Sequence, residues 1–190
     1  MRLITLDPAT HYTGYAIWHG EVLKQFGVIR AHKSSNWDVR CLELNSKLRN
    51  LLVEEKMTHC VSEFPEFQSG RRGMDAARAG DTLKLAYLCG SISCGWQLHS
   101  ALHLADSQRK GFSPEGILPV EPMILWVPPS RWKGQLPKDV SAKRCFDKYH
   151  WLAKSEIEKN ASDAIMIGDW FLMESGLKPH GDASWKQVEM

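Results

Sequence analysis

The sequence lacks most of the signatures that identify an enzyme at first reading. It has no G-x-x-x-x-G-K-[ST] loop, no H-E-x-x-H and no G-x-S-x-G, which sets aside P-loop nucleotide hydrolysis, zinc-peptidase chemistry and the serine-hydrolase elbow. No apolar run approaches membrane-spanning length, and the first residues lack the basic-then-apolar pattern of a secretory signal. Both absences predict a soluble, cytoplasmic protein without a membrane partner. The five cysteines (Cys41, Cys60, Cys89, Cys94, Cys145) are odd in number, widely spread and free of any C-x-x-C pair. That excludes a zinc ribbon or a disulfide framework and predicts buried free thiols. A dominant charge is missing too: the net charge is +2, too small to speak for any partner. No repeat, low-complexity stretch or linker divides the 190 residues, a length that suits one domain.

What is present begins with Arg2-Leu3-Ile4-Thr5-Leu6-Asp7-Pro8. A short apolar run with a β-branched centre, closed by Asp-Pro, predicts a buried strand with Asp7 on its last extended residue. Thr13 to Trp18 and Val22 to Ile29 follow as two more strands around the Gly20-Glu21 turn. Ser34, Ser35 and Asn36 are candidate caps for a helix carrying Leu42, Leu44, Leu48, Leu51 and Leu52. His59 to Pro65 then repeats the first design: a short apolar stretch, a carboxylate (Glu63), and a proline just beyond. Gln68 to Gly80 reads as an exposed Gly- and Arg-rich loop, and Asp81 opens a long helix. Asp106 to Pro122 reads as irregular, Met123 to Val127 as a strand, Lys138 to Trp151 as a basic helix, and Asn160 to Glu174 as the last helix. The expected architecture is a mixed α/β domain over residues 1–176, with three antiparallel strands then parallel strands, five in all, flanked by helices. Residues 177–190 are expected to be a polar, aperiodic, peripheral tail.

The chemistry is carried by carboxylates. Asp7 and Glu63 both close strands, and in open α/β sheets the C-terminal strand edge is where ligands bind. Asn160 and Asp163, three apart on the last helix, share a face. Asp169 lies about 600° further round from Asp163 and faces elsewhere. Any one of these acids has an ordinary explanation: an Asp before Pro is commonly a turn residue, and an early helical Asp complements the helix dipole. Together, three acids on two strand ends and a helix suit a hard divalent cation such as Mg²⁺. Two such ions bracketing a phosphate support phosphodiester hydrolysis.

With these residues in view, the sequence resembles the RuvC family of Holliday-junction resolvases, of ribonuclease H-like fold. The resemblance spans roughly residues 1–176. It is carried by Leu6-Asp7-Pro8 with Thr13-Gly14-Tyr15, Ser62-Glu63, Asp81-Thr82-Leu83-Lys84-Leu85, Val127-Pro128-Pro129-Ser130-Arg131-Trp132-Lys133-Gly134 with Lys138, and Asn160-Ala161-Ser162-Asp163-Ala164. It implies an Mg²⁺-dependent crossover-junction endonuclease with catalytic Asp7, Glu63 and Asp163. Two ions per site are implied, with Mn²⁺ as a substitute, and Asn160 as a further ligand. That position commonly holds an acid or His in the family, so its ligand here is neutral. The long segment between Glu63 and Asp81 and the divergent middle are closer to bacteriophage-type resolvases, which implies a bacterial cytoplasm and a phage-encoded protein.

Between Ser130 and Lys148 six basic residues face only Asp139 and Asp147, a local excess larger than that of the whole chain. Arg71, Arg72, Arg131, Lys133, Lys138 and Lys143 are the expected DNA contacts; a solvated helix face is the plainer reading. The resemblance adds Phe64 or Phe67 as an aromatic at the junction centre, against ordinary core packing. It also implies a homodimer through the helix beginning at Asp81, whose apolar residues occupy more than one face. Two rivals stay open: a ribonuclease H-like nuclease on another nucleic acid, and a non-catalytic junction-binding protein. Sugar kinases share the opening hairpin and Asp but need a second half that this length cannot hold.

Overall fold

Alternation of side chains along the first strand divides the interior in two. In β1 (Arg2–Pro8) Leu3 packs with Trp18, Ala164 and Ile165 on one face of the sheet. Ile4 and Leu6 pack with Leu44, Leu48, Ile92 and Trp96 on the other. A period of two in a strand does this without further instruction. The computed structural model describes residues 1–33, 36–66, 80–109, 123–134 and 136–190. The further strands are β2 (Tyr12–His19), β3 (Val22–Arg30), β4 (His59–Glu63), β5 (Met123–Val127) and β6 (His180–Glu189). The helices are α1 (Trp37–Glu54), α2 (Asp81–Arg109), the single turn α3 (Pro129–Trp132), α4 (Lys138–Tyr149) and α5 (Glu156–Glu174). The sheet order is β5-β4-β1-β2-β3-β6. β1, β2 and β3 pair antiparallel, while β4 joins β1, and β5 joins β4, in parallel. Helices α4 and α5 cover one face, α1 and α2 the other. The mixed α/β architecture is as expected.

Three boundaries differ from the sequence reading. The sheet has six strands, not five: the segment read as a peripheral tail supplies β6, parallel to β3. Its polar sequence hid it, because an edge strand needs only backbone pairing and a few apolar anchors. Trp185 stacks on Phe26 at 4.9 Å, and Gly27 admits β6 so closely that a Cβ there would lie 1.7 Å from the Val188 carbonyl oxygen. Second, α5 starts at Glu156, with Ser155 accepting from the Glu158 amide at 3.2 Å. Asp163 is therefore well past the first turn, and the helix-dipole explanation does not apply to it. Third, α2 runs on to Arg109, into the stretch read as irregular. Leu42 is exposed, off the stripe of Cys41, Leu44, Leu48, Leu51 and Leu52 that α1 buries. Four cysteines are buried and free, whereas Cys94 is exposed. No helix among the described residues is long and apolar enough to cross a membrane.

Candidate active site

Asp7 and Glu63 reach the same place by strand parity. Asp7 follows Leu3 and Thr5 on the α5 side of β1, and Glu63 follows Val61 on the same side of β4. The parallel register pairs Leu6 with Ser62, leaving Asp7 and Glu63 as the next residues on neighbouring strands. Asp163 descends from α5, and the sheet is shaped to receive that helix. Gly14, opposite Asp7 on β2, has no side chain where a Cβ would meet the Asn160 carbonyl oxygen at 2.1 Å. Thr5 donates its hydroxyl to the Ala164 carbonyl at 2.6 Å. Asp163 is consequently 0% exposed and Asp7 5%.

Two lysines enter this cluster. Lys138 Nζ lies 3.6 Å from Asp7 Oδ2 and 3.8 Å from Asp163 Oδ2, and donates to Asn160 Oδ1 at 2.8 Å. Lys133 Nζ lies 3.3 Å from Glu63 Oε2 and 3.2 Å from Asp163 Oδ2. The Asn160 amide is oriented by its own helix: Nδ2 donates to the Glu156 and Ile157 carbonyls, turning Oδ1 to the acids. Trp132 Nε1 donates to Glu63 Oε2 at 3.0 Å, and its ring carries the Lys133 ammonium 4.6 Å from the centroid. Trp132 is the residue that sequence reading passed over as a site member. The available signal was its place beside Lys133, just after the prolines that stop β5.

The electrostatics are those of acids removed from water. Burial, then the nearby charges of Glu63 and Asp163, hold the Asp7 carboxyl well above its ordinary range despite Lys138. Glu63 is raised as well, by burial first and by Asp163, with Lys133 opposing. Burial works to lower the Lys133 ammonium, but Glu63, Asp163 and Asp7 outweigh it and raise it. Asp7 Oδ2 and Asp163 Oδ1 are buried without a hydrogen-bond partner among the described residues. Unpartnered buried carboxylate oxygens are costly. No group of three acidic, His or Cys side chains among the described residues is drawn together tightly enough to stand as a finished metal cage. The oxygens of Asp7, Asn160 and Asp163 nonetheless converge on one cationic atom, the Lys138 nitrogen. An all-oxygen donor set in which two buried carboxylate oxygens lack hydrogen bonds fits a hard divalent ion.

Of solved structures, Thermus thermophilus RuvC aligns over 94% of this chain and 99% of its own, with a TM-score of 0.57 and 12% identity. T. thermophilus RuvC in complex with a Holliday junction substrate aligns over the same shares, again with a TM-score of 0.57, at 11% identity. The chain has the RuvC fold. No family model matches the sequence, and no curated protein matches it either. The likeness is therefore one of architecture, carried by the order and pairing of elements.

On this RuvC-like frame the remaining site residues are spread around the cluster. Phe64, next to Glu63, is 44% exposed and meets Trp126 edge-on at 5.8 Å, so it is not core. Arg131 lays its guanidinium over Trp170 at 5.6 Å, and Lys143 is exposed on α4. Lys133 and Lys138, expected as DNA contacts, have their ammonium groups beside the acids, Lys133 partly buried and Lys138 exposed. Phe67, Arg71 and Arg72 lie outside the described residues. Asp169 does face elsewhere, with Lys148 at 2.5 Å and the Tyr149 hydroxyl as partners.

Proposed function

We propose that the chain is a divalent-metal-dependent endonuclease that cuts four-way and related branched DNA by phosphodiester hydrolysis. The observation that carries this is the convergence of Asp7, Asn160 and Asp163 oxygens on one cation position, with Glu63 beside them, at the C-terminal edge of parallel strands. The RuvC fold supports the choice of substrate, since one neighbour of that fold is known in complex with a Holliday junction. Asp7, Glu63 and Asp163, with Asn160 as a neutral fourth donor, would hold Mg²⁺, two ions per site, with Mn²⁺ as a substitute. Bound there, such ions supply activation of the attacking water and stabilisation of the leaving 3′ oxygen. Trp132 holds the Glu63 carboxylate in one rotamer. The ammonium groups of Lys133 and Lys138 balance the acids and are placed to turn to the phosphates of incoming DNA. The neutral Asn160 and the long segment after Glu63 favour the bacteriophage-type branch of resolvases, working in a bacterial cytoplasm.

The dimer belongs to the same reading. On α2, Leu83, Tyr87, Cys94, Leu98 and Leu102 recur at helical spacing along an exposed stripe, opposite the buried Leu88, Ile92 and Trp96. Leu83 is 75% and Leu102 65% exposed. A second copy covering this stripe would give the two opposed cuts that a two-fold symmetric junction requires. The deciding experiment is cleavage of a labelled four-way junction in Mg²⁺ against a linear duplex and an RNA–DNA hybrid of equal length. Preferential cutting of the junction at paired positions is expected. Preference for the hybrid moves the reading to a ribonuclease H activity, and tight junction binding without cutting in Mg²⁺ or Mn²⁺ moves it to a binding protein.

A further inference from the structure

Next to the acid cluster, and sharing Lys133 with it, the structure holds a cavity of about 200 Å³ lined from α3, α4 and α5. Its walls include Trp132, Lys133, Ser141, Arg144, Met166 and Trp170. Met166 and Trp170 lie three and seven residues beyond Asp163 on α5, about 5 and 10 Å along the helix axis. The cavity is therefore one nucleotide's reach from a phosphate held on Asp7, Glu63 and Asp163, and Trp132 and Lys133 belong to both.

The lining says what kind of group would enter. Two indoles and the thioethers of Met166 and Met173 offer flat, polarisable surface. Lys133 and Asp169 in this wall are already paired, with Glu63 and Asp163 and with Lys148, which leaves Arg144 matched by Glu174. A balanced wall does not select a second phosphate, so the occupant is uncharged. Ser141 is buried, at 3% exposure, and its hydroxyl has no hydrogen-bond partner among the described residues. A hydroxyl is both donor and acceptor and suits the edge of a heterocycle. Resting on the nuclease reading above, we infer that this cavity takes one unstacked nucleobase, that of a nucleotide next to the scissile phosphate. Trp132 and Trp170 supply the stacking surface and Ser141 reads the base edge. At the centre of a branched molecule stacking is already interrupted, so extruding a base there costs least.

The test removes bases one at a time. Junctions carrying a single abasic nucleotide at each position flanking the cut are compared with the intact junction, by equilibrium binding and by single-turnover cleavage in Mg²⁺. One position is expected at which loss of the base lowers affinity or rate by about five- to 150-fold, the range of base–aromatic stacking. In Trp170→Ala that sensitivity is expected to vanish, the variant treating intact and abasic junctions alike. Ser141→Ala, which keeps the shape of the wall, is expected to lower cleavage at the favoured base to the level of the other three, flattening the preference at that position. It stands as the second reading where Trp170→Ala disturbs folding. Cutting by the wild-type chain with no base-sensitive position overturns the cavity assignment and leaves the nuclease reading intact. Equal losses by the variants on intact and abasic DNA overturn the cavity assignment in the same way. A chain that neither binds nor cuts branched DNA overturns both.

Discussion

At the scale of single residues, the site is a small volume holding more negative charge than burial tolerates, and that imbalance is testable without DNA. Asp7 is raised by burial first and by Glu63 and Asp163 next, so the folded chain takes up its proton more readily than the unfolded chain does. The stability this contributes is fully present below about pH 4, the ordinary carboxylate value, and is lost as pH rises through the raised folded value. Melting temperature measured in EDTA is expected to fall between mildly acidic and neutral pH, and to be less steep in Asp7→Asn. At neutral pH without metal that variant is expected to melt a few degrees higher than wild type, yet to lose nearly all cleavage while still binding junctions. A variant that cuts at the wild-type rate would remove Asp7 from the chemistry.

Trp132 and Asn160 act through the same oxygens. Trp132→Phe keeps the ring against Lys133 but deletes the donor to Glu63. Partners of metal ligands are typically worth ten- to a hundredfold in metal affinity or activity. A Mg²⁺ titration of the cleavage rate is expected to shift upward by about tenfold. Asn160→Asp adds a charge where Oδ1 already faces Lys138, and is expected to lower the Mg²⁺ needed for half-maximal rate. Asn160→Ala is expected to raise it. Unchanged metal dependence in the alanine variant would place Asn160 outside the ligand set.

At the scale of elements, the height of α5 over the sheet decides whether Asp163 meets Asp7 at all. Gly14 permits that approach, because any Cβ would sit 2.1 Å from the Asn160 carbonyl oxygen. Backbone, unlike a flexible side-chain end, cannot step aside. Gly14→Ala is expected to destabilise by roughly 3 kcal/mol or more, the upper end of overpacking costs, and to reduce cleavage in whatever fraction remains folded. Chemical denaturation with activity measured in parallel checks both. On the opposite face, Leu98→Glu places a charge in the middle of the exposed α2 stripe, where it meets water in the monomer. Light scattering is expected to show the wild type as a dimer at micromolar concentration and Leu98→Glu as a monomer of unchanged melting temperature. A wild type that stays monomeric with junction DNA bound would rule the dimer out.

At the scale of the whole molecule, the division between what the sequence determined and what the fold decided follows the range of the forces. The hairpin, the strand ends at Asp7 and Glu63, and the shared face of Asn160 and Asp163 were legible because they follow local rules. Proline restricts the residue before it, strands alternate with period two, and helical residues three apart are neighbours. Parity along β1 and β4 even implies which face the acids take, once a helix covers it. What no local rule contains is the depth to which that helix sinks, and this was left to Thr5 on β1 and Gly14 on β2. Nor does the basic segment announce that the Lys133 and Lys138 ammonium groups meet the acids. A net positive stretch reads as a solvated or DNA-facing surface until the acids it neutralises, 70 residues away in the case of Glu63, are brought beside it. Trp132 is the same case, an indole whose contact with the acids is a hydrogen bond across 69 residues. Strand β6 was hidden for a different reason. An edge strand is held by backbone pairing to β3, and backbone hydrogen bonds carry no side-chain pattern to read.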